Sequence, residues 1–186
     1  MTETRSYHHG DLRRALLATA LEAIQEVGPA ALSLRDLARR AGVSHAAPAH
    51  HFGDKAGLLT ALAAQGFDLL AQRLTETGDD FLAAGVAYVD FAVTHRAYFE
   101  VMFRPELYRT DDADLVAARE RAGAALRSGV ATLPTGGAPV DAERDALAAW
   151  SIAHGFATLW LAGALPERVG DNPRDAAREV LGRLTP

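Results

Sequence analysis

Residues 33–52 read SLRDLARRAGVSHAAPAHHF, and the rest of the chain is best read outward from them. Ser33 with Asp36 three residues later, as in a capping box, predicts the start of a helix. Leu34, Leu37, Ala38 and Ala41 recur at helical spacing on one face, with Arg35, Asp36, Arg39 and Arg40 on the other. Gly42 then ends the helix, since a residue without Cβ enters the left-handed turn cheaply. Val43 is placed to plug the gap between two helices, and Ser44 to cap a second short helix ending near Phe52. Ala38 supplies the small residue where the two helices touch. Helix, glycine turn and short helix make the helix-turn-helix pattern, whose second helix lies in the DNA major groove. An ordinary helix pair with a glycine cap shares that pattern, so the flanking sequence must decide.

On the amino-terminal side, residues 1–6 are polar and are expected to be mobile. A first helix is predicted from about Gly10 to Val27, with Leu12, Leu16, Ala20, Ile24 and Val27 as its apolar stripe and Gly28-Pro29 as its end. On the other side Asp54 is placed to cap a long helix from Lys55 to about Glu76, roughly 30 Å at 1.5 Å per residue. Leu58, Leu59, Leu62, Leu69, Leu70 and Leu74 are its apolar positions; Gly78 and Asp79-Asp80 break it. Further helices are predicted over Phe81–Thr94, over 96–103 (RAYFEVMF, stopped by Pro105), from Asp111 or Asp112 to Leu133, and over Asp141–Leu165, ended by Pro166. TGGAP (135–139) reads as a turn or loop. Asn172-Pro173 opens the last helix, which runs to about Leu184.

No stretch alternates with period two, so the fold is expected to be all-α. A three-helix head (1–54, helix-turn-helix 33–52) is joined by a connecting helix (55–77) to a helical body (78–186).

The 186 residues are enough to bury a core, and half are apolar. With no Cys, disulfides and thiolate metal sites are excluded. The net charge of −5 divides unevenly. Residues 1–60 hold seven Lys+Arg against six acids, for +1, and the remainder carries −6. His8, His9, His45, His50 and His51 add partial positive charge to the first 60 residues. Non-specific attraction to phosphate is therefore modest and salt-sensitive. The amino terminus lacks a signal-peptide core, which points to the cytoplasm. Leu147–Leu165 approaches the length of a membrane span. It also holds Ser151, His154, Thr158 and two glycines, and reads as a helix buried on most faces of a protein that does not enter the membrane.

The chain resembles the tetracycline-repressor (TetR) family of bacterial transcriptional regulators, most strongly over residues 10–70. The carriers are SLRDLARRAGVS, the short helix ending at Phe52, and GDKAGLL at the head of the long helix. Trp150, His154 and Gly155, in WSIAHGF, resemble the Trp…His-Gly signature of one subgroup. The resemblance implies a homodimer whose heads bind a near-palindromic double-stranded DNA operator, and a small effector in the body that loosens their grip. It implies a recognition helix over Ser44–Phe52. In it Ser44 bonds a phosphate, His45, Ala46 and Ala47 face base edges, and His50 and His51 meet phosphate or base; Arg35 and Lys55 hold backbone phosphates. Two departures stand out. Ala49 replaces the tyrosine that many members place against the DNA backbone, and Pro48 sits early in the recognition helix. Few direct base bonds and a large share of shape readout are expected.

In the body, Phe91, His95, Tyr98, Phe99, Met102, Phe103, Trp150 and His154, together with Tyr108, Phe156 and Trp160, have the composition of a small-molecule site with aromatic walls and a few polar tips. The same residues serve equally well as core. Trp160, Leu161, Val180, Leu181 and Leu184 are placed for a dimer seam. The function this supports is a ligand-responsive DNA-binding regulator, a repressor released by a small hydrophobic or aromatic effector; the alternative is a helical protein–protein interaction module without DNA binding. Catalysis is not expected, since no HExxH, Walker loop or GxSxG is present. The adjacent histidine pairs diverge by about 100° on a helix, so no metal site is expected. Nor is any cofactor implied.

Overall fold

The computed structural model describes residues 4–130 and 141–183, and every regular element among them is helical. In chain order these are α1 (Thr4–Ala31), α2 (Leu34–Arg40), α3 (Ala47–Phe52), α4 (Lys55–Thr75), α5 (Phe81–Thr94) and α6 (Arg96–Met102). A single 3-10 turn (Pro105–Leu107) precedes α7 (Ala113–Val130) and α8 (Ala142–Leu161), and a second (Glu167–Val169) precedes α9 (Pro173–Leu181). The loop expected over 135–139 and the helix ends expected at Leu133 and Leu184 lie outside the described residues.

The helix boundaries follow local chemistry. Asp80 caps α5 by accepting the Ala83 N–H at 2.8 Å, and Asp112 accepts the N–H groups of Asp114 and Leu115 ahead of α7. Asn172 accepts from Arg174 and Asp175, with Pro173 at the first helical position where its missing N–H costs nothing. α1 begins at Thr4, so residues 4–6, expected to be mobile, belong to it. Gly28 breaks its regular geometry at φ 76°, one residue before Pro29. Val27, expected in the apolar stripe, is half exposed just before that bend.

Two compact units emerge, one from residues 1–66 with 97–116, the other from 67–96 with 117–186. They interleave along the chain, unlike the consecutive segments 1–54, 55–77 and 78–186. In the first unit, Leu16, Leu17, Ala20 and Ile24 of α1 are buried with Leu37 and Ala38 of α2 and Leu58, Leu59 and Leu62 of α4. Residues 97–116 join it through specific bonds. The Tyr98 hydroxyl donates to Gln65 at 3.2 Å, and the Arg109 N–H donates to the Thr60 hydroxyl at 3.0 Å.

In the second unit α5 packs against both α8 and α9, which also touch each other. The core is built from Val86, Val89, Phe91 and Ala92 of α5, Ala153, Phe156 and Ala157 of α8, and Ala176, Ala177 and Leu181 of α9. An Arg174–Asp90 ion pair at 3.2 Å spans α9 and α5. Two expectations for α8 are corrected. It ends at Leu161, not Leu165, because Gly163 takes a positive φ of 64° and the N–H groups of Gly163 and Ala164 turn back onto Trp160 and Leu159. Nor is it buried on most faces, since Leu147, Ile152 and Leu159 are 56%, 42% and 48% exposed. Small alanines on the inner side let α5 and α9 approach there and leave the larger aliphatics outside. No described helix is long and apolar enough to cross a membrane.

Candidate functional site

The helix-turn-helix is built as its sequence prescribes in its first half. The Ser33 hydroxyl accepts from the Asp36 N–H, weakly at 3.5 Å, at the start of α2. Gly42 stands at φ 66°, and the N–H groups of Gly42 and Val43 bond back to the carbonyls of Arg39 and Ala38 at 3.2 and 3.0 Å. That pair of bonds satisfies carbonyls which the helix end would otherwise leave open.

The second half differs. Ser44 does not cap the recognition helix. Its carbonyl accepts the Ala47 N–H at 3.0 Å, residues 44–47 form a turn, and α3 runs only from Ala47 to Phe52 behind an uncapped Ala46. Pro48 explains the late start, since it occupies the first turn, where its missing N–H breaks no helical bond.

Pro48 and Phe52 are buried and anchor α3, while Ser44, His45, Ala46, Ala49 and His50 are exposed and Ala47 and His51 half-buried. Arg13 of α1 lies over the Phe52 ring at 5.2 Å, an anchoring contact that nothing in the periodicity of α1 singles out. Of the residues proposed for DNA, Ser44, His45, Ala46, Ala47, His50 and His51 thus lie on one short segment whose other side is pinned.

Ser33, Arg35, Asp36, Arg39 and His45 border a common surface depression. Within it Asp36 is committed to Arg39 and Arg40, and these two guanidiniums hold its carboxyl below the usual range. Arg40 also reaches Glu26 of α1 at 2.8 Å. Arg35 has no such partner among the described residues, which leaves its charge available to a phosphate. Lys55 is different. Its ammonium donates to the Ala30 carbonyl at 2.5 Å, in the last turn of α1 beyond the break at Gly28. Beside it Asp54 accepts the Gly57 N–H at 2.8 Å and, through its other oxygen, Arg109 at 2.8 Å.

The second unit holds a cavity of about 190 Å³, lined by Leu74, Phe81, Leu82, Gly85, Tyr88, Leu126, Asp145, Trp150, Ile152 and Leu181 with neighbouring small residues. Of the residues expected to bind an effector, Trp150 is on its wall. His154 stands behind it, with Nδ1 2.9 Å from the Tyr88 hydroxyl, which also accepts the Trp150 Nε1–H at 3.0 Å. Burial raises the Tyr88 phenol and lowers the His154 imidazole, so both are neutral near neutrality.

Phe91 of α5 and His95, the residue that caps its end, pack edge to face with each other and are not among the described residues of the cavity wall. Tyr98, Phe99, Met102 and Phe103 belong to the first unit, where Phe99 and Phe103 pair at 4.9 Å. Tyr108 is buried there, its hydroxyl donating to the Met102 carbonyl. Tyr88 was passed over in the sequence, since between Val86 and Val89 it reads as one more core residue of α5. Leu181, placed in a dimer seam, is instead buried on the cavity wall.

A braced first helix, a glycine turn and a short exposed helix with a cationic rim define a DNA-binding helix-turn-helix module. Residues 16–62 match the family model "Bacterial regulatory proteins, tetR family", and residues 81–184 match "Tetracyclin repressor-like, C-terminal domain". The chain belongs to the tetR family of bacterial transcriptional regulators, which are not enzymes.

The HTH-type transcriptional regulator BetI of Escherichia coli is 51% identical over 49 residues, a match spanning 26% of this chain and about a quarter (25%) of BetI. A protein of unknown function from Rhodococcus sp. RHA1 is 36% identical, with a TM-score of 0.77 over 96% of this chain and 97% of its own. AibR, solved in complex with isovaleryl coenzyme A and operator DNA, shares the fold at 19% identity and a TM-score of 0.65, over 94% of this chain and 97% of its own.

Proposed function

We propose that this chain is a homodimeric, ligand-responsive repressor that leaves a near-palindromic operator when a small hydrophobic or aromatic effector binds its second unit. The observation that carries the reading is α3 itself, a six-residue helix anchored through Pro48 and Phe52 with Ser44, His45, Ala46, Ala49 and His50 exposed. On this reading His45, Ala46 and Ala47 meet base edges, His50 and His51 meet base or phosphate, and Ser44, Arg35 and Lys55 hold phosphates. Lys55 does so with donors left over from its bond to Ala30. The alanines offer no hydrogen bond, so much of the specificity lies in DNA shape.

The exposed apolar side chains of α8 (Leu147, Ile152, Leu159), with Val180 of α9, supply the dimer seam. We read Trp150, His154 and Gly155 as the Trp…His-Gly signature of one subgroup, with Trp150 on the wall of the effector cavity and His154 behind it. That one fold can carry both kinds of ligand is supported by AibR with its coenzyme A thioester and operator DNA. The effector acts by its differential affinity for the dimer that fits two half-sites and the dimer that does not. The test is a gel shift of the full chain on DNA flanking its own gene, against random competitor. A retained, competitor-resistant complex supports the reading; loss of the shift to random DNA refutes it.

A further inference from the structure

Asp145 lies on the wall of the second unit's cavity, in the first turn of α8, and among the described residues it is the only charged one there. The remaining wall is apolar or aromatic, from Leu74, Phe81, Leu82, Leu126 and Ile152 to Trp150. The two other polar groups are already engaged, since the Trp150 Nε1–H donates to the Tyr88 hydroxyl and that hydroxyl is also bonded to His154. Asp145 itself has no cation paired with it among the described residues. Arginines of the same unit are paired elsewhere, Arg144 with Asp141, Arg127 with Glu120 and Arg174 with Asp90.

Two consequences follow from charge. A carboxylate or phosphate ligand would enter beside a like charge and find no Lys or Arg on the wall among the described residues. A ligand carrying one positive charge would pair with the half-buried Asp145 beside a largely apolar wall. The volume sets the size of the apolar part. About 190 Å³ exceeds the roughly 150 Å³ of an apolar cavity known to hold benzene, which leaves space for one ring and a short substituent.

We propose that the effector is a small organic cation, an apolar body of about one ring bearing a single protonated or quaternary nitrogen, with Asp145 as its counter-ion. The assignment rests on the effector reading of this cavity, and it deepens that reading by fixing the charge of the ligand.

The experiment is calorimetric titration of the full chain with three probes of one shape, benzylamine, benzyl alcohol and benzoate, at neutral pH. Benzylamine is expected to bind about threefold to fivefold more tightly than benzyl alcohol, and benzoate not to bind. Asp145→Asn should bring benzylamine down to the level of the alcohol while leaving the alcohol unchanged, and Asp145→Glu should keep the preference. Equal binding of the three probes, no binding by any, or a benzylamine preference that survives Asp145→Asn overturns the proposal. A gel shift in the presence of benzylamine separates the two claims. Asp145-dependent binding without release of DNA retains the cation site and removes the effector reading; release by benzoate retains the effector reading and removes the cation site.

Discussion

The Trp150 Nε1–H donates to the Tyr88 hydroxyl at 3.0 Å, and the same oxygen lies 2.9 Å from His154 Nδ1. The oxygen accepts from the indole and shares a second hydrogen bond with Nδ1, whose direction is set by the tautomer of the His154 imidazole. Three side chains from two helices are thereby tied together, Tyr88 and Trp150 on the cavity wall and His154 behind it. Tyr88→Phe preserves the ring and deletes the oxygen, leaving an indole N–H and an imidazole nitrogen without it. A loss of about 1–3 kcal/mol in urea unfolding is expected. A loss near zero would show that the two remaining groups find other partners at no cost.

Acid should test the same network from the other side. Burial lowers the His154 pKa, so the unfolded chain binds a proton there before the folded one does. The contribution of His154 to stability is complete above its ordinary value of about 6.5 and declines as pH falls from there toward its lowered folded value. Between pH 7.5 and 5.5 the wild type should lose more stability than His154→Gln. Parallel melting curves for the two proteins would contradict this.

Gly42 is the hinge of the helix-turn-helix, at φ 66° with open space where a Cβ would stand. Gly42→Ala therefore costs backbone strain alone, about 1–2 kcal/mol. DNA affinity should fall with it, because the strain is relieved by letting α2 and α3 shift. Unfolding and DNA titration measured on one preparation check both.

Arg35 and Lys55 should behave differently when replaced by alanine. Arg35 is unpaired, so its loss should leave the melting temperature unchanged and reduce the slope of log affinity against log salt by about 0.9. Lys55 also holds the Ala30 carbonyl, so Lys55→Ala should lower both the slope and the melting temperature. An unchanged slope in both variants removes the phosphate roles.

The helices were legible because their boundaries rest on local chemistry. Asp54, Asp80, Asp112, Asn172, Gly28 and Gly42 act within a few residues of themselves. Ser44 misled because a Ser before a helix is an ordinary cap, whereas Pro48 pushed the start of α3 three residues on. The cavity was less legible. Aromatic content marks residues that pack, and Phe91, Phe99 and Met102 do pack, but which faces of α5 and α8 meet depends on non-local geometry. Tyr88 and Asp145 came into view only when Trp150 was seen beside them on one wall. Lys55 shows the same limit, since its tie to Ala30 crosses 25 residues.

Hydroxyl-radical footprinting of the complex with its own upstream DNA tests the account most directly. Two protected patches are predicted, related by a two-fold axis and centred about one helical turn, ~10 base pairs, or a whole multiple of it apart. A single unpaired patch, or uniform protection without preference for any sequence, would contradict it.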